Sequence, residues 1–220
     1  MRQARGFLGS SIGRKVVMAV TGAILFGFVL VHMIGNLQVY LGPDALNAYG
    51  VFLRHLLHGM GLWIARGVLL IAVILHIWSA TSLTLSSRAA RPVGYREQKW
   101  KESTYASRTM RWSGVILFFF IVYHLLHFTI GSAHPSFIEG DVYHNFVAGF
   151  RSVPASIFYI VAMILLGLHL RHGIWSMFQT LGVSHPRYMR LTHIGAWIFA
   201  GIIVIGNISF PLAVLAGIVK

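Results

Sequence analysis

The stretch "WSGVILFFFIVYHLLHFTIG" (112–131) is a run of twenty mostly apolar residues interrupted near its end by His124 and His127. A run of that length matches the roughly 30 Å hydrocarbon core of a bilayer. Polar groups at such a depth are costly and persist where something uses them. Reading outward, four more runs of the same kind appear, at 16–37, 62–85, 154–178 and 194–218. The pattern predicts an all-α fold, a single domain over 1–220 made of five membrane-spanning helices.

The composition agrees. The chain is 56% hydrophobic and only 10% charged, with a mean hydropathy of +0.72, which excludes an ordinary soluble domain. The basic segment before the first run looks like the start of a signal peptide. The run is longer than a signal core, however, and no A-x-A-like site follows it, so it reads as a mature spanning helix. The chain has no cysteine. That excludes disulfides, c-type haem attachment and cysteine-held iron–sulfur clusters on this chain.

The net charge of +13 invites a nucleic-acid reading, but the charge is distributed between spans. Arg2, Arg5, Arg14 and Lys15 precede the first. Arg88, Arg91, Arg96, Lys99, Lys101, Arg108 and Arg111 lie between the second and third, and Arg187 and Arg190 between the fourth and fifth. The opposite loops hold Arg54 against Asp44, and Arg151 against Glu139 and Asp141; Lys220 ends the sequence. By the positive-inside rule the N-terminus lies inside and the C-terminus outside. The bilayer is the partner this charge serves, not nucleic acid, and the basic inner face also suits a cytoplasmic partner protein.

Six of the twelve histidines lie within spans: His32, His76, His124, His127, His169 and His172. A rise of about 1.5 Å per residue sorts them by depth. His32 of span one and His124 and His127 of span three fall in the outer half. His76 of span two and His169 and His172 of span four fall in the inner half. Two facing imidazoles at matched height are what a b-type haem requires, and the chain offers that twice. The alternative is a histidine-lined metal or proton transporter, since His124 and His127, like His169 and His172, share a helix face at i,i+3. Such a protein usually adds acidic residues inside its spans, and all five acidic residues here lie outside them. Depth alone does not choose within either i,i+3 pair.

Two motifs, "HMIGNLQVYLG…NAYGVFL" (32–53) and "LGLHLRHGIWSMFQTLG" (166–182), resemble the di-haem cytochrome b membrane-anchor subunit of succinate dehydrogenases and fumarate reductases, in its single-chain five-helix form. The resemblance runs from Gly13 into the fifth span. It implies two haems b. His32 before "MIGN" and His124 in "YHLLH" are then the axial ligands of the outer haem iron, and His76 in "ILHIW" and His169 before "LRHG" those of the inner. His127, His172 and Arg171 become candidate propionate contacts. It also implies a flavoprotein subunit carrying FAD, an iron–sulfur subunit, menaquinone as substrate, no dicarboxylate active site on this chain, and a bacterial inner (cytoplasmic) membrane. Some members carry a proton on a glutamate two residues before the span-four ligand; that position here is Gly167. The cytochrome b of a hydrogenase or formate dehydrogenase is the rival, and it lacks the "HGxWSxFQT" match. For the quinone, Arg54, His55, His58 and Arg66 suggest an outer site or propionate contacts, and Ser79, Ser82, Ser113 and Trp112 an inner alternative.

Overall fold

In a computed structural model of the chain, every element among the described residues is helical. The structure describes residues 6–90 and 105–220, the side chains of 105–108 excepted. Of the expected charge asymmetry, Arg2, Arg5, Arg91, Arg96, Lys99, Lys101 and the side chain of Arg108 lie outside the described residues.

The helices are α1 (Ser11–Asn36), α2 (Pro43–His55), α3 (Met60–Ala89), α4 (Tyr105–Leu125), α5 (Val142–Arg151), α6 (Val153–Thr180) and α7 (Pro186–Leu215). A π-helical turn, Leu126–Ile130, prolongs α4. All but α2 and α5 belong to segments long and apolar enough to cross a membrane, which matches the five expected spans. The last begins earlier than the expected residue 194. Pro186 suits a first helical position, and the His185 ring accepts a hydrogen bond from the Arg187 amide at 3.2 Å. Arg187 and Arg190 therefore sit on the first turns of α7, not in a loop.

The two short helices were not expected. Both lie between spans, on the face opposite the N-terminus. Gly42, at φ 103°, turns the chain into Pro43 at the start of α2, a left-handed backbone that favours glycine. Asp141 caps α5 by accepting from the His144 amide at 2.9 Å. Asn47 of α2 donates to the same carboxylate at 3.0 Å and accepts from the Tyr143 amide at 2.9 Å. One carboxylate and one amide thus join α2 to α5.

In the bundle, α6 packs closely on α7 and on α4, and α1 packs closely on α3. Small residues set the closest approaches, as they do where helices associate without a hydrophobic driving force. A Cβ on Gly167 would run into Val204 of α7, and one on Gly206 into Met33 of α1. Helix α3 is the outermost. Ala72 and Ser79 are its only buried residues, and Ser79 donates to the Arg14 carbonyl of α1 at 2.7 Å.

The chain is built as a repeat. Residues 21–32 of α1 read TGAILFGFVLVH and residues 113–124 of α4 read SGVILFFFIVYH, sharing Gly, Ile, Leu, Phe, Phe and His at matched positions. Each heads a unit of spanning helix, short helix, spanning helix: α1–α2–α3 and α4–α5–α6. Each unit closes on itself, α1 on α3 and α4 on α6; α7 is the addition.

Two outcomes test this packing. Gly167→Leu should destabilise the α6–α7 seam by about 1–3 kcal/mol, read as a lower thermal midpoint in detergent. Gly201→Leu, on a glycine with nothing within 4 Å, should not. The Asp141 carboxyl is held below the usual carboxylate range by the His144 amide first and the Asn47 amide second. A group depressed on folding contributes stability above its unfolded pKa of about 4 and loses it as pH falls through the folded value. Protection of the α5 amides, taken relative to their unstructured exchange rates, should therefore fall on acidification through that range, and Asp141→Ala should remove that fall.

Candidate functional site

Four imidazoles meet in two pairs. His32 of α1 faces His124 of α4 with ring centroids 5.8 Å apart and planes at 89°. His76 of α3 faces His169 of α6 at 6.4 Å and 56°. Neither α1 with α4 nor α3 with α6 is among the closely packed helix pairs. The rings face each other across space, and none of the four is fully buried. Two imidazole nitrogens on opposite sides of one metal, each about 2 Å from it, would place ring centroids roughly 6 Å apart. Both separations fit that arrangement.

Hydroxyls hold three of the four rings by Nδ1. Thr21 Oγ1 lies 3.1 Å from His76 Nδ1, Ser113 Oγ 3.2 Å from His169 Nδ1, and the Tyr159 hydroxyl 3.2 Å from His124 Nδ1. A hydroxyl has a single proton. Thr21 donates its own to the Val17 carbonyl at 2.7 Å, and Ser113 to the Met110 carbonyl at 3.1 Å. With that proton given to the carbonyl, each hydroxyl accepts from its histidine. In that arrangement His76 and His169 carry the proton on Nδ1, which leaves a lone pair on Nε2, the atom a metal takes. Among the described residues His32 has no such hydroxyl; Phe28 stacks on it at 5.2 Å, as Phe120 stacks on His124 at 5.8 Å.

The spacing between levels follows from the same contacts. Thr21 and Gly22 of α1 meet His76, and His32 is ten residues beyond Gly22. Ser113 and Gly114 of α4 meet His169, and His124 is ten beyond Gly114. Tyr159 of α6 meets His124, and His169 is ten beyond Tyr159. Three helices each give a separation of about 15 Å. At Gly22 a Cβ would stand 3.3 Å from the His76 ring, close enough that the ring would have to shift by a few tenths of an ångström.

The remaining expected residues are placed as follows. His127 is 1% exposed. It lies on the π turn with Nδ1 3.2 Å from the Tyr159 hydroxyl, between the rings of Tyr123 and Phe128. π turns of this kind concentrate at functional sites. His172 meets Trp175 edge-on at 6.0 Å. The Trp175 indole N–H is the one buried side-chain polar atom without a hydrogen-bond partner among the described residues, and its ring stacks on His193 at 4.5 Å. Arg171 points to α7, with its guanidinium 4.0 Å from the centre of the Trp197 ring. Arg54 lies in the last turn of α2, His58 lies in the turn before α3 at φ 56°, and Arg66 stacks on Trp63 at 5.0 Å; all three are exposed. Of the inner alternative, Ser79 is engaged by the Arg14 carbonyl and Ser113 by His169.

The roles of Thr21, Ser113 and Tyr159 beside the histidines emerge only in the fold; from the sequence Ser113 belongs to the inner quinone alternative. The signal for the first two was present in the repeat, a hydroxyl residue and glycine before nine residues and a histidine, in both α1 and α4. Nothing in the sequence marks Tyr159.

Residues 87–205 match the family model described as the succinate dehydrogenase/fumarate reductase transmembrane subunit. Searches of curated proteins and of solved structures give no match. The match holds His124, His127, His169 and His172, and His32 and His76 fall before it. With more than half of the chain inside the family's pattern and five membrane-crossing helices around it, the chain belongs to the transmembrane subunit family of succinate dehydrogenase and fumarate reductase.

Proposed function

We propose that this subunit passes electrons across a bacterial cytoplasmic membrane, between an iron–sulfur partner subunit at the N-terminal face and menaquinone. His32 with His124, and His76 with His169, would each hold one haem b. The observation that carries the reading is the pair of facing imidazoles at each of two levels, 5.8 and 6.4 Å between ring centroids. When bound, the haems supply one-electron carriers at two depths. The residues do the rest. Thr21 and Ser113 orient the inner imidazoles with Nε2 bare. Helices that stay apart leave room for a flat macrocycle. Trp175, with an N–H free to donate, is a candidate contact for an inner propionate, beside His172. Arg171, over Trp197, is turned towards α7 and is the weaker candidate.

The N-terminal face is inside in this reading. Arg14, Lys15, Arg88, Arg111, Arg187 and Arg190 gather there, and the positive-inside rule supports it. The flavoprotein and iron–sulfur subunits dock on that face, and dicarboxylate chemistry belongs to them. Gly167 is buried against Val204, so the seam has no room for the glutamate that some members carry there.

The quinone site lies at the outer face, where Arg54, His58 and Arg66 gather near the α2–α3 turn. Two levels of haem have a purpose only if electrons cross to that side. The engagement of Ser79 and Ser113 by other groups also favours it over the inner alternative.

Replacing ligands tests the haem assignment. His76→Ala or His169→Ala should remove the inner haem chiefly, and His32→Ala or His124→Ala the outer one, read as haem per chain in the purified complex. Loss of a haem in His127→Ala together with retention of both in His124→Ala would overturn the choice of ligand. For the quinone, Arg66→Gln and His58→Gln should each lower succinate–quinone activity while both haems remain. Full activity in both variants would move the site inward.

A further inference from the structure

One hydroxyl serves two histidines at the outer level. The Tyr159 oxygen lies 3.2 Å from His124 Nδ1 and 3.2 Å from His127 Nδ1. A phenol has one proton to give and lone pairs to receive. It can donate to one imidazole and accept from the other; it cannot donate to both, and accepting from both would leave its own proton unpaired in a buried ring. With that proton used, the two histidines are held in opposite tautomers, one protonated on Nδ1 and the other on Nε2. The surroundings break the tie. The His124 ring faces His32 across open space. The His127 ring is enclosed by Tyr123, Phe128 and the α5 backbone at Gly149, where a Cβ would come within 3.1 Å of it.

We propose that Tyr159 is a positioning residue of the outer level: it accepts the Nδ1 proton of His124 and gives its own proton to His127, so that His124 presents a bare Nε2 towards His32 and His127 cannot take its place. The proposal rests on the reading of His32 and His124 as haem ligands. It explains an asymmetry in the repeat. Tyr159 stands ten residues before His169; ten residues before His76 stands Arg66. A guanidinium only donates, so it cannot hold an Nδ1–H as Tyr159 does. Among the described residues His32 has no hydrogen bond to a hydroxyl, and Arg66 turns to Trp63. One ligand of the outer pair is thus braced and the other is not.

A hydrogen bond from Nδ1–H makes an imidazole more basic and favours the more positive, oxidised iron. Removing the acceptor should raise the outer haem's midpoint potential. The test is a redox titration of the assembled complex carrying Tyr159→Phe, which keeps the ring and loses only the oxygen. Variants lacking one level assign each midpoint. The expected result is two haems, an unchanged inner midpoint, and an outer reduction equilibrium shifted about three- to tenfold towards the reduced form, the worth of one hydrogen bond. His127→Phe should shift the outer midpoint the same way by less, because a hydroxyl that donates is the better acceptor. The double variant should match Tyr159→Phe alone, since both changes act through one oxygen. A purely structural role for Tyr159 would not move one midpoint and spare the other. If the unaltered complex lacks an outer haem, the haem reading fails and the proposal with it. If it holds both and Tyr159→Phe leaves both midpoints unchanged, or the two shifts add, the proposal alone fails. Should Tyr159→Phe not assemble, His127→Phe decides: a rise of the outer midpoint alone supports the proposal, and no change overturns it.

Discussion

A hydroxyl bonded to an imidazole Nδ1 across a helix pair is the interaction on which the rest of this structure depends. In an apolar bundle an imidazole must satisfy two nitrogens, and each one left unpaired is costly. Thr21, Ser113 and Tyr159 each satisfy one nitrogen from the neighbouring helix and leave the other free. The same bonds set the register of α1 against α3 and of α4 against α6, so the scaffold and the site are specified together. A slip of one residue in either pair would rotate a histidine off its hydroxyl and out of line with its facing partner.

Repetition supplies the second level. Two helical hairpins with the same ten-residue offset between hydroxyl-glycine and histidine, joined side by side, produce two levels about 15 Å apart. No separate design is needed for each. The units then diverge where their surroundings differ. Tyr159 and Arg66 occupy matched places, one buried and bonded, the other exposed beside Trp63. Helix α7 covers α6 and leaves α3 bare, so the second unit lies nearer the centre of the bundle than the first.

Much of this was legible in the sequence because membranes impose simple rules. Span length and the depth of His32, His76, His124 and His169 follow from hydropathy and helix rise alone. Helices α2 and α5 were not legible. They are short and amphipathic, and the bond that holds them, Asn47 to Asp141, joins residues ninety-four positions apart. Tyr159 was hidden for a similar reason. One tyrosine in an apolar span reads as packing until the fold brings His124 and His127 to its oxygen. Arg171 reads equally well as a propionate partner or an interfacial arginine until the ring of Trp197 is seen beneath it. The second histidine of the opening stretch was the hardest to place, because two residues three apart differ in depth by only about 4.5 Å, and what separates them is burial and the direction of a single proton.

The central claim is that two facing imidazole pairs hold two haems at two levels. Its most direct measurement is the haem stoichiometry of the purified, unaltered complex, taken as pyridine haemochrome per polypeptide alongside the low-spin visible spectrum. The account predicts two b-type haems per chain, both six-coordinate and low-spin. One haem or none per chain, or a high-spin spectrum, would contradict it.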